Sequence, residues 1–128
     1  MNEPVWIEER DTRALHDRLL ALHGGPAGLR DEGLLRSALA RPRQRLNYSE
    51  PEIAELAALY TSGIVRNHPF LDANKRNGFL LGVLFLELNG FRFTASEEDA
   101  ARAVVALAAS QLDEASFAAF LRANSVPE

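Results

Sequence analysis

Two apolar repeats of helical period, parted by a proline and a knot of polar residues, constrain this chain more than any other feature. Ile53, Leu56, Ala57, Tyr60 and Ile64 recur at spacings of three and four, which sets them on one face of a helix. Phe79, Leu80, Val83 and Leu84, with Phe85 and Leu88, repeat the pattern farther on. Pro69 bars a regular helix between them. The pattern predicts one helix ending near Asn67 and a loop. A central helix then runs to Asn89, where Gly90 supplies a stop signal. The two apolar faces should pack as an antiparallel pair, with the loop held at one end of the core.

That loop is chemically dense. His68-Pro69-Phe70-Leu71-Asp72-Ala73-Asn74-Lys75-Arg76 places an imidazole, a carboxylate, an amide, an ammonium and a guanidinium side by side. The first N–H groups of a helix lack intrahelical partners and carry the positive end of the dipole, a ready anion site. Two cationic side chains there are locally unfavourable by ~0.3–1 kcal/mol each, so an anion should offset them, and phosphate suits. The chain has thirteen Arg and a single Lys, and that Lys is Lys75. A compact ammonium on a flexible stem is not interchangeable with a planar fork, which marks Lys75 as a phosphate contact. His68 is the motif group that titrates nearest neutrality and is the candidate base for a hydroxyl. Asp72 is a hard carboxylate suited to Mg²⁺, which takes few carboxylates plus phosphates and waters. Ala73 (through its backbone), Asn74, Lys75 and Arg76 are the candidate phosphate binders. Phe70 is read as an anchor of the loop in the core.

The stretch resembles the signature of the Fic/Doc superfamily, and specifically its Doc (death-on-curing) branch, His-x-Phe-x-Asp/Asn-Ala/Gly-Asn-Lys-Arg. Ala73 and Lys75 fall on the Doc side, where Fic proteins carry glycines. The segment from Gly24 to Leu35, with Ser37-Ala38-Leu39 and Arg41-Pro42, is similar to the N-terminal half of Doc proteins. Asn77 stands where Doc proteins often carry Thr or a small residue. The resemblance implies an all-α, six-helix fold with a short flap hairpin and at most one or two short strands. The flap would lie in the basic segment Arg41–Tyr48. It implies the same roles for His68, Phe70, Asp72 and residues 73–76. It also implies an ATP- and Mg²⁺-dependent protein kinase, the toxin of a toxin–antitoxin pair, that phosphorylates a hydroxyl of elongation factor Tu and blocks translation. A Phd-type antitoxin would silence it by folding a helix into a groove. Lys75 takes room that a glycine would leave in the anion hole, which favours phosphoryl over AMP transfer. A Fic-type AMP transferase and a catalytically silent antitoxin-binding module are the alternatives.

At 128 residues the chain makes one domain, 1–128, large enough for a real core. A net charge of −4 argues against direct nucleic-acid binding, which needs a basic face. With no cysteine there is no disulfide and no thiolate metal site. No signal peptide or long apolar span is visible, so a cytoplasmic protein without a membrane partner is expected.

The remaining elements follow from caps and stripes. Val5-Trp6-Ile7 reads as a short strand or a cover over the core. Asp11 or Thr12 caps a first helix carrying Leu15, Leu19 and Leu22, which Gly24-Gly25-Pro26 stops. His16 and His23 on that helix are read as packing or surface histidines. Asp31 caps a second helix that Pro42 ends. Ser49-Glu50-Pro51-Glu52 reads as a capping box for the third, and Arg66 has two readings, in the pocket of His68 or on the surface. Phe91–Thr94 alternates as one short strand. Ser96 and Asp113 cap the last two helices. Two fragments, Thr94-x-x-x-Glu98 and Ser110-x-x-x-Glu114, partly match an inhibitory pattern of Fic enzymes and are read as ordinary capping segments.

Overall fold

The computed structural model describes residues 3–128. Six helices appear in the order α1 (Glu9–His23), α2 (Glu32–Leu46), α3 (Ile53–Asn67), α4 (Asn74–Leu88), α5 (Glu97–Ala108) and α6 (Glu114–Ala123). Strand β1 (Phe91–Phe93) pairs antiparallel with β2 (Ser125–Pro127), Arg92 facing Val126. The all-α class holds, and β2, which lacks any alternation, is the strand the sequence did not signal.

The axis of the fold is α3 rather than α4. Every residue of α3 from Leu56 to Val65 is buried, and α4, α2 and α6 pack around it, with α5 touching it more lightly. The antiparallel α3–α4 pair is the largest interface. Its close approach depends on Gly78 and Gly82, which face Thr61, Ile64 and Val65 across the contact. The Thr61 hydroxyl donates to the Gly78 carbonyl at 2.7 Å. Val5-Trp6-Ile7 is not a strand. It covers the core: Ile7 is buried, its N–H donates to Tyr60 Oη at 3.1 Å, and Trp6 stacks on Phe85.

Three sequence expectations are corrected. Helix α1 begins earlier, with Glu8 as N-cap. Asp11 completes a capping box with it, and Thr12 lies inside the helix. Helix α3 begins at Ile53 with a Glu52/Glu55 capping box, while the Ser49 hydroxyl donates to the Arg45 carbonyl instead. Pro42 does not end α2, which runs through it to Leu46, so residues 41–46 are helix and not a flap hairpin. An internal proline costs roughly 3 kcal/mol. The last turn is pinned from outside: Arg41 pairs with Glu114 of α6, Arg43 with Glu8 while lying over the Trp6 ring, and Arg45 with Glu55 of α3. Each arginine of the supposed basic loop is an anchor to another element.

Candidate active site

Helix α3 ends and α4 begins on either side of the nonapeptide, so its loop caps one end of the central pair. His68 is the C-cap of α3, in the left-handed region at φ 50°. Ala73 is the N-cap of α4, also left-handed at φ 63°. Non-glycine residues visit that region at a steric cost, and here the loop is held from both sides. Its inner support is Asn74, which is buried. Asn74 Oδ1 accepts the Phe70 N–H and its Nδ2 donates to the Phe70 carbonyl, both at 3.0 Å. An oxygen facing an N–H and a nitrogen facing a C=O fix the amide's orientation. The same Nδ2 lies 3.3 Å from His68 Nδ1. An amide nitrogen only donates, so this contact puts Nδ1 of the neutral imidazole in the accepting role.

The outer support is the segment between α1 and α2. Leu29 bridges to Phe70, Arg30 and Asp31 donate their N–H groups to the Pro69 carbonyl, and Leu71 N–H donates to the Gly28 carbonyl. Arg30 Nε and Nη2 donate to the carbonyls of His68 and Asn67 at 2.7 and 2.8 Å. A guanidinium thereby satisfies the orphan C-terminal carbonyls of α3 and meets the negative end of its dipole. The Gly24–Leu35 match is thus the clamp on the motif. Gly25 lies so close to Asp72 that an added Cβ would sit 2.6 Å from its Oδ2.

The structure divides the sequence-predicted residues in two. Phe70 is 2% exposed, its ring against His16. His68, Asp72, Lys75 and Arg76 are exposed around the N-terminus of α4. Among the described residues, neither Lys75 nor Arg76 forms an ion pair. The first N–H groups of α4 have no intrahelical acceptor. Asn74 belongs to that first turn by its backbone, while its side-chain amide is occupied inside the loop. Arg66 leaves the site: its Nε donates to Ser62 Oγ at 3.1 Å, and it lines a separate cleft with Arg41 and Glu114. No cluster of three His, Cys, Asp or Glu suited to a metal occurs among the described residues. A lone exposed carboxylate beside a helix N-terminus fits Mg²⁺ brought in with phosphates, the usual state of that ion, rather than a protein-built cage.

Lys75 and Arg76 also stand at one end of an apolar groove of about 630 Å³ between α1, α4 and α5. Its floor and walls include Leu19, Phe79, Val83 and Val104, and Glu87 and Glu97 also border it. Sequence reading missed three supports: His16, Gly25 and Arg30. A signal for the first was present, because Thr12, His16 and Leu19 share one face of α1 at spacings of four and three, and all three are buried.

Fold and loop together describe an all-α domain whose exposed polar loop opens on the N-terminus of a buried helix. The Fic/DOC family model matches residues 6–86, and the chain belongs to that family. The chain is similar to the protein kinase doc of Escherichia phage P1, 34% identical over 93 residues that make 72% of this chain and 74% of that protein. It is also similar to the toxin Doc of Mycolicibacterium smegmatis, 35% identical over 74 residues, 56% of this chain and 57% of that protein. No helix among the described residues is long and apolar enough to cross a membrane.

Proposed function

We propose that this chain is a Doc-type toxin that moves the γ-phosphoryl group of ATP to a hydroxyl of a translation factor, with elongation factor Tu the expected target. The observation that carries the reading is the exposure of His68, Asp72, Lys75 and Arg76 around one helix N-terminus whose loop is otherwise fully tied down. Phosphoryl transfer asks little covalent chemistry of the protein; positioning and charge stabilisation carry it. The first N–H groups of α4, Lys75 and Arg76 would hold the phosphates. Asp72 would hold Mg²⁺, which neutralises developing phosphate charge when bound. His68 takes the proton of the target hydroxyl. In the present arrangement its accepting lone pair is on Nδ1, so the hydroxyl displaces the long Asn74 contact to reach it.

The similarity to a protein kinase doc and a toxin Doc supports this reading. The apolar groove ending at Lys75 and Arg76 supports control in trans by a Phd-type antitoxin. An amphipathic helix laid there would bury its apolar face and reach the phosphate-binding end. The test is incubation with elongation factor Tu, Mg²⁺ and ATP, followed by intact mass and by parallel γ- and α-labelling. One phosphoryl group carrying γ-label is expected. Transfer of α-label with a gain of one AMP would replace the kinase reading by the Fic-type one, and no gain at all would leave an antitoxin-binding module.

A further inference from the structure

The buried imidazole of His16 has no place in the chemistry above. It is 1% exposed, on the face of α1 turned to the motif loop. Its Nε2 lies 2.8 Å from the backbone carbonyl oxygen of Asp72. Its ring lies flat on Phe70, with centroids 3.8 Å apart and planes within 10°. One side chain therefore grips both flanks of the exposed Leu71. Since a carbonyl only accepts, the proton must be on Nε2. Burying an imidazole is unfavourable unless it is hydrogen-bonded, and this ring spends its bond on the motif loop rather than on α1.

The grip falls where the loop needs it. The next residue, Ala73, is left-handed, so the peptide between Asp72 and α4 adopts a conformation that an alanine does not choose on its own. Phe70 is held by Asn74, and Leu71 by Gly28. The Asp72 carbonyl is held by His16, while the Asp72 carboxylate stays exposed beside Gly25. We propose that His16 is a positioning residue: it fixes the backbone at Asp72, two residues before α4 begins, and with it the place of the exposed carboxylate, and so sets the affinity for Mg²⁺-nucleotide without touching either.

The proposal rests on the reading of Asp72 as the metal-holding carboxylate, and two kinds of measurement keep the two apart. The side-chain amide of glutamine can place a donor where Nε2 stands, whereas leucine fills the space without one. With the full chain, His16→Leu should raise the Mg²⁺ concentration for half-maximal ATP binding about 10-fold, the size typical of supports that orient metal ligands. His16→Gln should stay within about 3-fold of wild type by the same measure. Amide hydrogen exchange at residues 71–74 should speed up in His16→Leu and not in His16→Gln. Nitrogen-15 spectra of the unmodified protein should place the ring proton on Nε2. A folded His16→Leu protein with unchanged exchange at 71–74 overturns the proposal, as does a ring proton on Nδ1. So does a folded His16→Gln protein impaired as badly as His16→Leu. If the unmodified protein binds no Mg²⁺-ATP, the functional reading fails by itself, and exchange and ring tautomer decide the role of His16. If His16→Leu does not fold, His16→Gln and the tautomer decide it.

Discussion

Removal of the Asn74 side chain separates a loop clamp from a phosphate ligand. In Asn74→Ala the Phe70 N–H and carbonyl, both buried, lose the partners they hold at 3.0 Å. Each buried group left unpaired costs ~1–3 kcal/mol. Alanine recovers at most ~0.7 kcal/mol of helix propensity, and water entering the vacated space relieves part of the rest. The expected net loss is ~2–4 kcal/mol, of the order of 10 °C in Tm for a chain of this size. Lys75→Ala, at an exposed position without an ion pair, should stay within ~0.5 kcal/mol of wild type. Urea and thermal unfolding of both variants, beside ATP binding, supply the comparison. If Asn74→Ala keeps wild-type stability while losing nucleotide affinity, the amide is a ligand donor and the clamp is wrong.

Three further outcomes follow from the same geometry. His68→Ala should cut transfer to the target by ~10²–10⁴-fold with little change in Tm, because the side chain is exposed; wild-type turnover would remove it as the base. Gly82→Ala would put a Cβ into Thr61 Oγ1 at the α3–α4 contact, so overpacking of ~1–3 kcal/mol should exceed the ~1 kcal/mol that alanine gains in a helix; an equal or higher Tm refutes it. The third concerns acid. Burial alone would raise the pKa of Glu114, but the Arg41 and Ser62 side chains and the charges of Arg41 and Arg66 outweigh it and leave the carboxyl below its usual value. Oε1 accepts from Arg41 Nη2 at 3.0 Å, while Oε2 lies 2.8 Å from Nη1 off the hydrogen-bond direction, so that second contact is ionic. A depressed folded pKa stabilises above the unfolded value of ~4.3 and is lost as pH falls through the folded one. The Tm gap between wild type and Glu114→Gln should therefore shrink as pH falls from about 6 to about 3, and a constant gap would refute the pairing.

Helix positions were legible where a side chain caps its own helix. Asp31, Ser96 and Asp113 each accept the N–H three residues on, as local sequence signals require. Legibility failed where partners are remote. Pro42 is a helix breaker by local rules, yet Arg41, Arg43 and Arg45 reach α6, the N-terminal segment and α3, and nothing local announces those pairs. Strand β2 is equally non-local, being extended because β1 lies beside it. In the site, the nonapeptide named the polar side chains that stand exposed there, and the resemblance supplied its family. It did not reveal that Asn74 faces inward or that a histidine 56 residues upstream of Asp72 holds its carbonyl.

Left-handed backbone at both ends of the motif loop is invisible in the sequence for the same reason, and it yields a test of how firmly the loop is held. Ala73 sits at φ 63°, ψ 24°, a region that costs an L-residue with a Cβ roughly 1–2 kcal/mol. Ala73→Gly removes that cost but gives the unfolded chain more freedom, worth ~0.4–1 kcal/mol in the opposite sense. The two nearly cancel, so this variant should lie within about 1 kcal/mol of wild type on the stable side. Ala73→Val adds a branched Cβ to a conformation that branched residues essentially refuse. It should cost more than ~1 kcal/mol and displace the start of α4. Stability in the order glycine, alanine, valine, read from urea midpoints at constant slope, is the expected result. Were valine tolerated as well as alanine, the loop would be free to leave the left-handed conformation. The clamp of Asn74, Arg30 and His16 would then not be what holds Asp72 and the helix start together.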